Sequence, residues 1–266
     1  MSTSHRSNDA PAIPTTYRVL VSTDLGGDPD DIQSLIHLLH YSDIIRLEGI
    51  LSTAGPGSTP RAENIRQWIQ RVDLDHLRAS GHAELRAESA LLDVVRQGAP
   101  LARAPGPDGA TNASGLLIER AHAPDPLGLS RPLWVLAWGS LTDVAQALHD
   151  DPSIAPKIRI NYIGSSNTTN DPASRDFIFD GLTGRWPALW WIEDGLLPRF
   201  SRDTFRGYYT GGDQRGEWGN VSFIEQNIRG RGTTHSGLFD EVLGDAFPVA
   251  GWPQGTLKEG DTPTFL

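Results

Sequence analysis

Apolar residues along the chain come in short continuous runs, each followed by small or acidic residues and then by a stretch of helical period. The run at 17–21, Y-R-V-L-V, reads as a buried strand, and an amphipathic helix pattern follows at 32–41. A second strand is expected at 44–53, a Gly/Pro/Ser loop at 54–60, and a helix at 61–72 with Ile65, Trp68 and Ile69 on one face. The region 74–98 carries a ragged helical stripe, 98–112 reads as a long loop, and 114–121 as a short helix. The clearest unit is P-L-W-V-L-A-W at 132–138, continuously apolar as a strand buried on both faces should be. A turn at 139–142 and a helix from Asp143 to His149 complete it. A further strand is expected at 158–163, a polar loop at 164–176 and a helix at 186–193. Beyond residue 200 the pattern weakens to helical windows at 221–228 and 236–243. Strand, small-residue loop and helix in alternation predict an α/β fold, an open, mostly parallel Rossmann-like sheet flanked by helices.

Composition narrows the classes. The 266 residues suffice for a full core, and no linker, repeat or composition shift divides 17–266, so a single domain is expected there. Residues 1–16 are Ser/Thr/Pro/Ala-rich without an apolar core, and read as a disordered lead-in rather than a signal peptide. The net charge of −10 disfavours nucleic-acid polymers and anionic membranes as partners. With no cysteine, thiolate catalysis and Cys-ligated zinc are excluded. No apolar stretch is long enough to span a bilayer. A cytoplasmic protein acting on a small molecule is the expectation, with homo-oligomerisation left open.

Candidate chemistry concentrates in 22–32, S-T-D-L-G-G-D-P-D-D-I, where Asp24, Asp28, Asp30 and Asp31 follow a strand and precede a helix. Open α/β sheets bind ligands at the carboxyl ends of their strands. Clustered carboxylates there can hold a hard cation. The spacing is not that of an EF-hand, because no Glu stands at the twelfth position. A phosphotransfer pair at Asp28 and Asp30 would want its first Asp at the strand end, a place taken by Asp24. The bland alternative is a solvated turn whose carboxylates cap the following helix.

The acidic run resembles the N-terminal signature of nucleoside hydrolases, D-x-D-P-G-x-D-D. It is more similar still to the T-D-x-x-x-D-P-D-D form of the Sde182-type nucleoside hydrolase-like domain. Two further segments agree in order. Residues 136–145, L-A-W-G-S-L-T-D-V-A, are similar to the hydrolase segment G-P-L-T-N-x-A, and 258–266, K-E-G-D-T-P-T-F-L, to E-G-D-T-P-S-F-L of the Sde182-type domain. The resemblance covers about 17–266 and implies a nucleoside hydrolase-like fold.

The resemblance also implies a site. Asp24, Asp31, the carbonyl of Thr142 and Asp261 would be ligands of a Ca²⁺ ion, and Asp24 would also act as general base. Asp30 would hold a sugar hydroxyl, and Asn167 and Asn170 would offer further hydroxyl contacts. The reaction implied is hydrolysis of an N-glycosidic bond in a nucleoside or nucleoside-like compound, metal-bound water attacking the anomeric carbon. This sequence departs from the pattern at several positions. Ser22 replaces the first Asp, Asp28 lies in a two-residue insertion, Pro56 stands at the ribose-binding Asn, and Gly260 stands at the His before the last Asp. No general acid is therefore inherited; Glu259 precedes Gly260, and His235 lies upstream in R-G-T-T-H. Trp138, Trp218 and Trp252 are either stacking platforms or packing residues. The alternatives to the N-glycoside reading are a glycosidase, or a carbohydrate-binding protein, using the same metal pocket on a different saccharide. A phosphatase is disfavoured by the lack of lysine in the early loops.

Overall fold

Continuous apolar runs fold here as a six-stranded, all-parallel sheet, seen in a computed structural model that describes residues 17–26, 29–55, 61–195, 208, 213–230, 238, 241–242 and 256–265. The strands are β1 (Tyr17–Thr23), β2 (Ile45–Ser52), β3 (Val95–Gln97), β4 (Leu133–Ala137), β5 (Ile158–Ile163) and β6 (Trp190–Asp194), in spatial order 3-2-1-4-5-6. Each pairs parallel with its neighbour, so "mostly parallel" becomes entirely parallel among the described residues. That order reverses direction between β1 and β4, which opens a crevice at their carboxyl ends.

Helices cover the sheet on two sides. Ile32, Leu35, Ile36 and Leu39 of α1 (Asp30–His40), with Ile65 and Ile69 of α2 (Ala62–Arg71), pack on Val19, Val21, Leu47 and Ile50. Leu74 and Leu77 of α3 (Leu74–Ala79) and Leu91 of α4 (Glu88–Leu92) extend this layer. On the other side α5 (Asn112–His122) and α6 (Thr142–Asp150) bury Leu116, Leu117, Val144 and Leu148 against Leu20, Leu51, Val135 and Ile160. Short α7 (Ser166–Asn170) leads to α8 (Pro172–Gly181), and Ile178 of α8 joins the same layer. No helix of the described residues is long and apolar enough to cross a membrane.

The structure differs from the sequence expectation in three places. The expected helix at 74–98 is two short helices and β3, a strand of three residues on the sheet edge. So short an element shows no period of its own and is defined by pairing with Ile50, Leu51 and Ser52 of β2. The expected loop at 164–176 contains α7 and the start of α8. Asp171 caps α8 by accepting from Ser174 N at 3.2 Å, with Pro172 in its first turn, a start signal readable in N-D-P-A-S. The expected helix at 186–193 is largely β6, an edge strand whose alternation is blurred because both of its faces are partly wet. The window 221–228 folds as α9 (Asn220–Asn227), whereas most of 236–243 lies outside the described residues.

Candidate metal and active site

Asp24 is the first residue past β1 and sits in the crevice at the strand-order reversal. The neighbouring strand ends close around it, with Thr53 N donating to Thr23 O and Trp138 N to Ser22 O, both at 2.8 Å. Asp24 is 6% exposed. Two glycines make room for its side chain: a Cβ on Gly55 would fall 2.2 Å from Asp24 Oδ2, and one on Gly139 would fall 2.8 Å from its Cβ. Those loops, after β2 and β4, are held by Asp143, whose buried carboxylate accepts from Ala99 N, Thr111 Oγ1 and Thr53 Oγ1 at 2.6–3.1 Å. Burial raises the Asp143 pKa above the usual carboxylate range. Its role as a loop organiser was not legible in sequence, because its partners lie 32–90 residues away.

The helix that follows brings further carboxylates. α1 begins at Asp30 with Pro29 as N-cap, which offers no side-chain cap, and Asp30 Oδ1 accepts from Asp31 N at 3.2 Å in the first turn. They sit in the first turn, where the helix dipole favours negative charge. Thr23 Oγ1 donates to Asp31 Oδ1, fixing that carboxylate against the end of β1.

Asp261 arrives from the far end of the sequence by a set of anchors on α1. Gln33 Oε1 accepts from Lys258 N and Glu259 N at 2.8 and 3.1 Å, while its Nε2 donates to Val242 O at 2.6 Å. Ser34 and Thr262 hydroxyls meet at 3.0 Å, and His37 Nδ1 lies 3.0 Å from Glu259 Oε2. Trp138 is 1% exposed and donates its indole N–H to Thr264 Oγ1 at 2.8 Å, so it is a buried clamp rather than a stacking surface. Within this frame Glu259 takes φ +47, a left-handed conformation that a side chain resists. A turn held this firmly has an outlier at the base of the site, where stored strain commonly accompanies function.

The result is that carboxylate oxygens of Asp30, Asp31 and Asp261 all lie within 4.8 Å of one another. Asp261 is buried, and its Oδ2 has no hydrogen-bond partner among the described residues. Burial first, then the charges of Asp30 and Asp31, push its pKa well above the usual carboxylate range, with Lys258 opposing. A buried oxygen left without a donor, among like charges, is what a cation would complete. The donors are all oxygen, which suits a hard divalent ion.

The other expected residues fall around this triad. Asp24 stands outside the group within 4.8 Å, though its charge also raises the Asp261 pKa. Asp30 is in an ion pair, with Lys258 Nζ 2.7 Å from its Oδ2, a partner that sequence reasoning did not assign. Thr142 is the first residue of α6 and donates its hydroxyl to Asp171 Oδ2 at 2.7 Å. Asn167 donates to Trp138 O and Ile163 O at 2.7 and 3.0 Å, tying the loops after β4 and β5. Asn170, at the end of α7, is exposed. Trp218 is 91% exposed. It lines a cavity of about 1130 Å³ with His37, Tyr41, Tyr208 and Phe223, to which Asp24, Asp30, Asp31 and Asp261 do not contribute. Asp28, Pro56, His235 and Trp252 lie outside the described residues.

The fold has solved counterparts. A nucleoside hydrolase-related hypothetical protein from Saccharophagus degradans, associated with carbohydrate metabolism, matches with a TM-score of 0.67 and 23% identity over 94% of this chain and 54% of its own. The chain thus spans about half the length of that protein. An inosine-guanosine nucleoside hydrolase gives 0.55 with 14% identity, covering 93% of this chain and 77% of its own. The purine-preferring ribonucleoside hydrolase from Gardnerella vaginalis gives 0.50 with 15% identity, covering 93% and 78%. No curated protein matches the chain. The family model described as cellulose-binding Sde182, nucleoside hydrolase-like domain, matches residues 18–266. The chain belongs to the Sde182 nucleoside hydrolase-like domain family.

Proposed function

We propose that this domain is a divalent-cation-dependent hydrolase of glycosidic bonds, with a nucleoside or nucleoside-like N-glycoside as substrate and Ca²⁺ as the ion. The observation that carries this reading is the convergence of Asp30, Asp31 and Asp261 around a buried, unpartnered carboxylate oxygen, at the carboxyl edge of β1. Asp31 and Asp261 would hold the ion, with the Thr142 carbonyl as a further oxygen ligand. When bound, the cation would make a water more acidic and steady the sugar hydroxyls. Asp24 would accept the proton of the attacking water as that oxygen bonds to the anomeric carbon. The C–N bond breaks as that bond forms, through an oxocarbenium-like transition state, and the leaving base takes the electron pair. Gly55 and Gly139 leave space beside the end of β1 for the Asp24 carboxylate, which any larger residue at either position would displace. Asp30 and Asn167 would orient the sugar, with Lys258 setting the direction of the Asp30 carboxylate.

The test is base release from a panel of ribonucleosides and p-nitrophenyl riboside, with Ca²⁺ and with EGTA. Metal-dependent turnover that is lost in Asp24→Asn is expected. No release from any substrate at high protein concentration would sink the proposal.

A second reading is supported by the family description, which names cellulose binding, and by the Lys258 ion pair, which occupies one oxygen of Asp30. Here the same pocket would bind a saccharide without cleaving an N-glycoside. Saturable binding of cello-oligosaccharides by calorimetry, with nucleosides inert, would select it.

A further inference from the structure

The amino ends of β4, β5 and β6 carry a second cavity, on the opposite edge of the sheet from the acidic triad. It measures about 620 Å³, in the size range of small-molecule sites. In a chain of net charge −10, Arg18, Arg131, Lys157 and Arg159 line it, with Asp125 the sole carboxylate among its described lining residues. Two of these cations are matched. Arg18 pairs with Glu48 at 2.8 Å and Arg131 with Asp125 at 2.6 Å. Lys157 Nζ lies 2.7 Å from His122 Nδ1, whose other nitrogen meets Asp151 at 2.6 Å.

Arg159 is different. The parallel register sets it directly between Trp134 of β4 and Trp190 of β6. Its guanidinium lies 5.3 Å from the Trp134 ring centroid and 4.0 Å from that of Trp190. Among the described residues no carboxylate lies within ion-pair distance of it. Ring faces fix a guanidinium plane but leave its N–H edge unused, and that edge matches a carboxylate or phosphate bidentately. Trp190 is 55% exposed, leaving indole surface for an organic body beside the charge.

We infer that this cavity binds the oxyanion of a small organic ligand, a phosphate monoester foremost, with Arg159 as the fork and Lys157 as the second cation. Phosphate is preferred over carboxylate because two cations, Lys157 just before β5 and Arg159 on it, line one cavity, which suits a dianion.

Phenyl phosphate is the probe, titrated calorimetrically into the whole chain in EDTA, with phenol and benzoate as comparisons. Saturable binding is expected for phenyl phosphate, weaker binding for benzoate and none for phenol. Arg159→Gln should weaken phenyl phosphate at least tenfold and Lys157→Gln several-fold, while Asp261→Asn leaves the affinity unchanged. If Arg159→Gln does not fold, Arg159→Lys, which keeps the charge but loses the fork, and Lys157→Gln decide. Overturning results are no saturable heat, equal affinity in the Arg159 and Lys157 variants, phenol binding as tightly, or benzoate binding more tightly. A loss confined to Asp261→Asn would place the anion at the acidic site and likewise overturn the inference.

Discussion

At the scale of single residues, the roles proposed for Asp24 and Asp261 can be tested separately. If Asp24 is the base of the proposed reaction, Asp24→Asn should lower kcat by about 10²–10⁴-fold, with little change in thermal stability. Gly55→Ala should reach a comparable loss without touching a carboxylate, because the new methyl falls 2.2 Å from Asp24 Oδ2. Parallel assays and melting curves on the two variants check this. Asp261 offers a pH test. Its native pKa is raised by burial and by Asp30 and Asp31, so the metal-free fold binds a proton there more tightly than the unfolded chain does. The stability contributed by that proton is present at low pH and is lost as pH rises through the native pKa. In EDTA, Asp261→Asn should therefore melt above wild type at neutral pH, with the gap closing toward pH 4. A gap that stays constant across pH would show that the side chain acts through packing alone. Asp24, Asp30 and Asp31 were legible as site candidates because they stand together in 22–32. Lys258 as partner of Asp30, and Asp143 as organiser of the loops, were not, because each is defined by contacts 32–228 residues away.

At the scale of elements, α1 does two things: its first turn presents Asp30 and Asp31, and its second holds the C-terminal segment through Gln33 and Ser34. Gln33 is buried, and Gln33→Ala would leave the N–H groups of Lys258 and Glu259 and the carbonyl of Val242 without this partner. Loss of such buried hydrogen bonds costs about 1–3 kcal/mol each where the orphaned group stays buried. Gln33→Ala should consequently weaken metal affinity more than it lowers overall stability, since the freed segment carries Asp261. Calorimetric titration of Ca²⁺ beside a denaturant melt separates the two. β1, β2, β4 and β5 were readable because buried parallel strands are continuously apolar. β3 and β6 were not, because edge strands are short or half-exposed and take their identity from their neighbours.

For the whole molecule, a cation bound by the native triad and not by the unfolded chain must stabilise the fold by mass action. At free Ca²⁺ a hundredfold above its dissociation constant the gain is about 2.7 kcal/mol. For a domain of this size that should raise Tm by roughly 5–11 °C, abolished by EGTA and absent in Asp261→Asn. The alternation of apolar runs, small-residue loops and helical stripes, together with the acidic run after β1, determined by itself that this is a parallel α/β protein with its candidate site at a strand end. Those are local properties, written in consecutive residues. Only the tertiary structure decided which carboxylates share a site. The order 3-2-1-4-5-6 opens the crevice beside Asp24, and the clamp of α1 on residues 258–264 brings Asp261 against Asp30 and Asp31. Like charges separated by 230 residues come together only where a folded backbone holds them, and neither their meeting nor the unpartnered oxygen it leaves is encoded in any one segment.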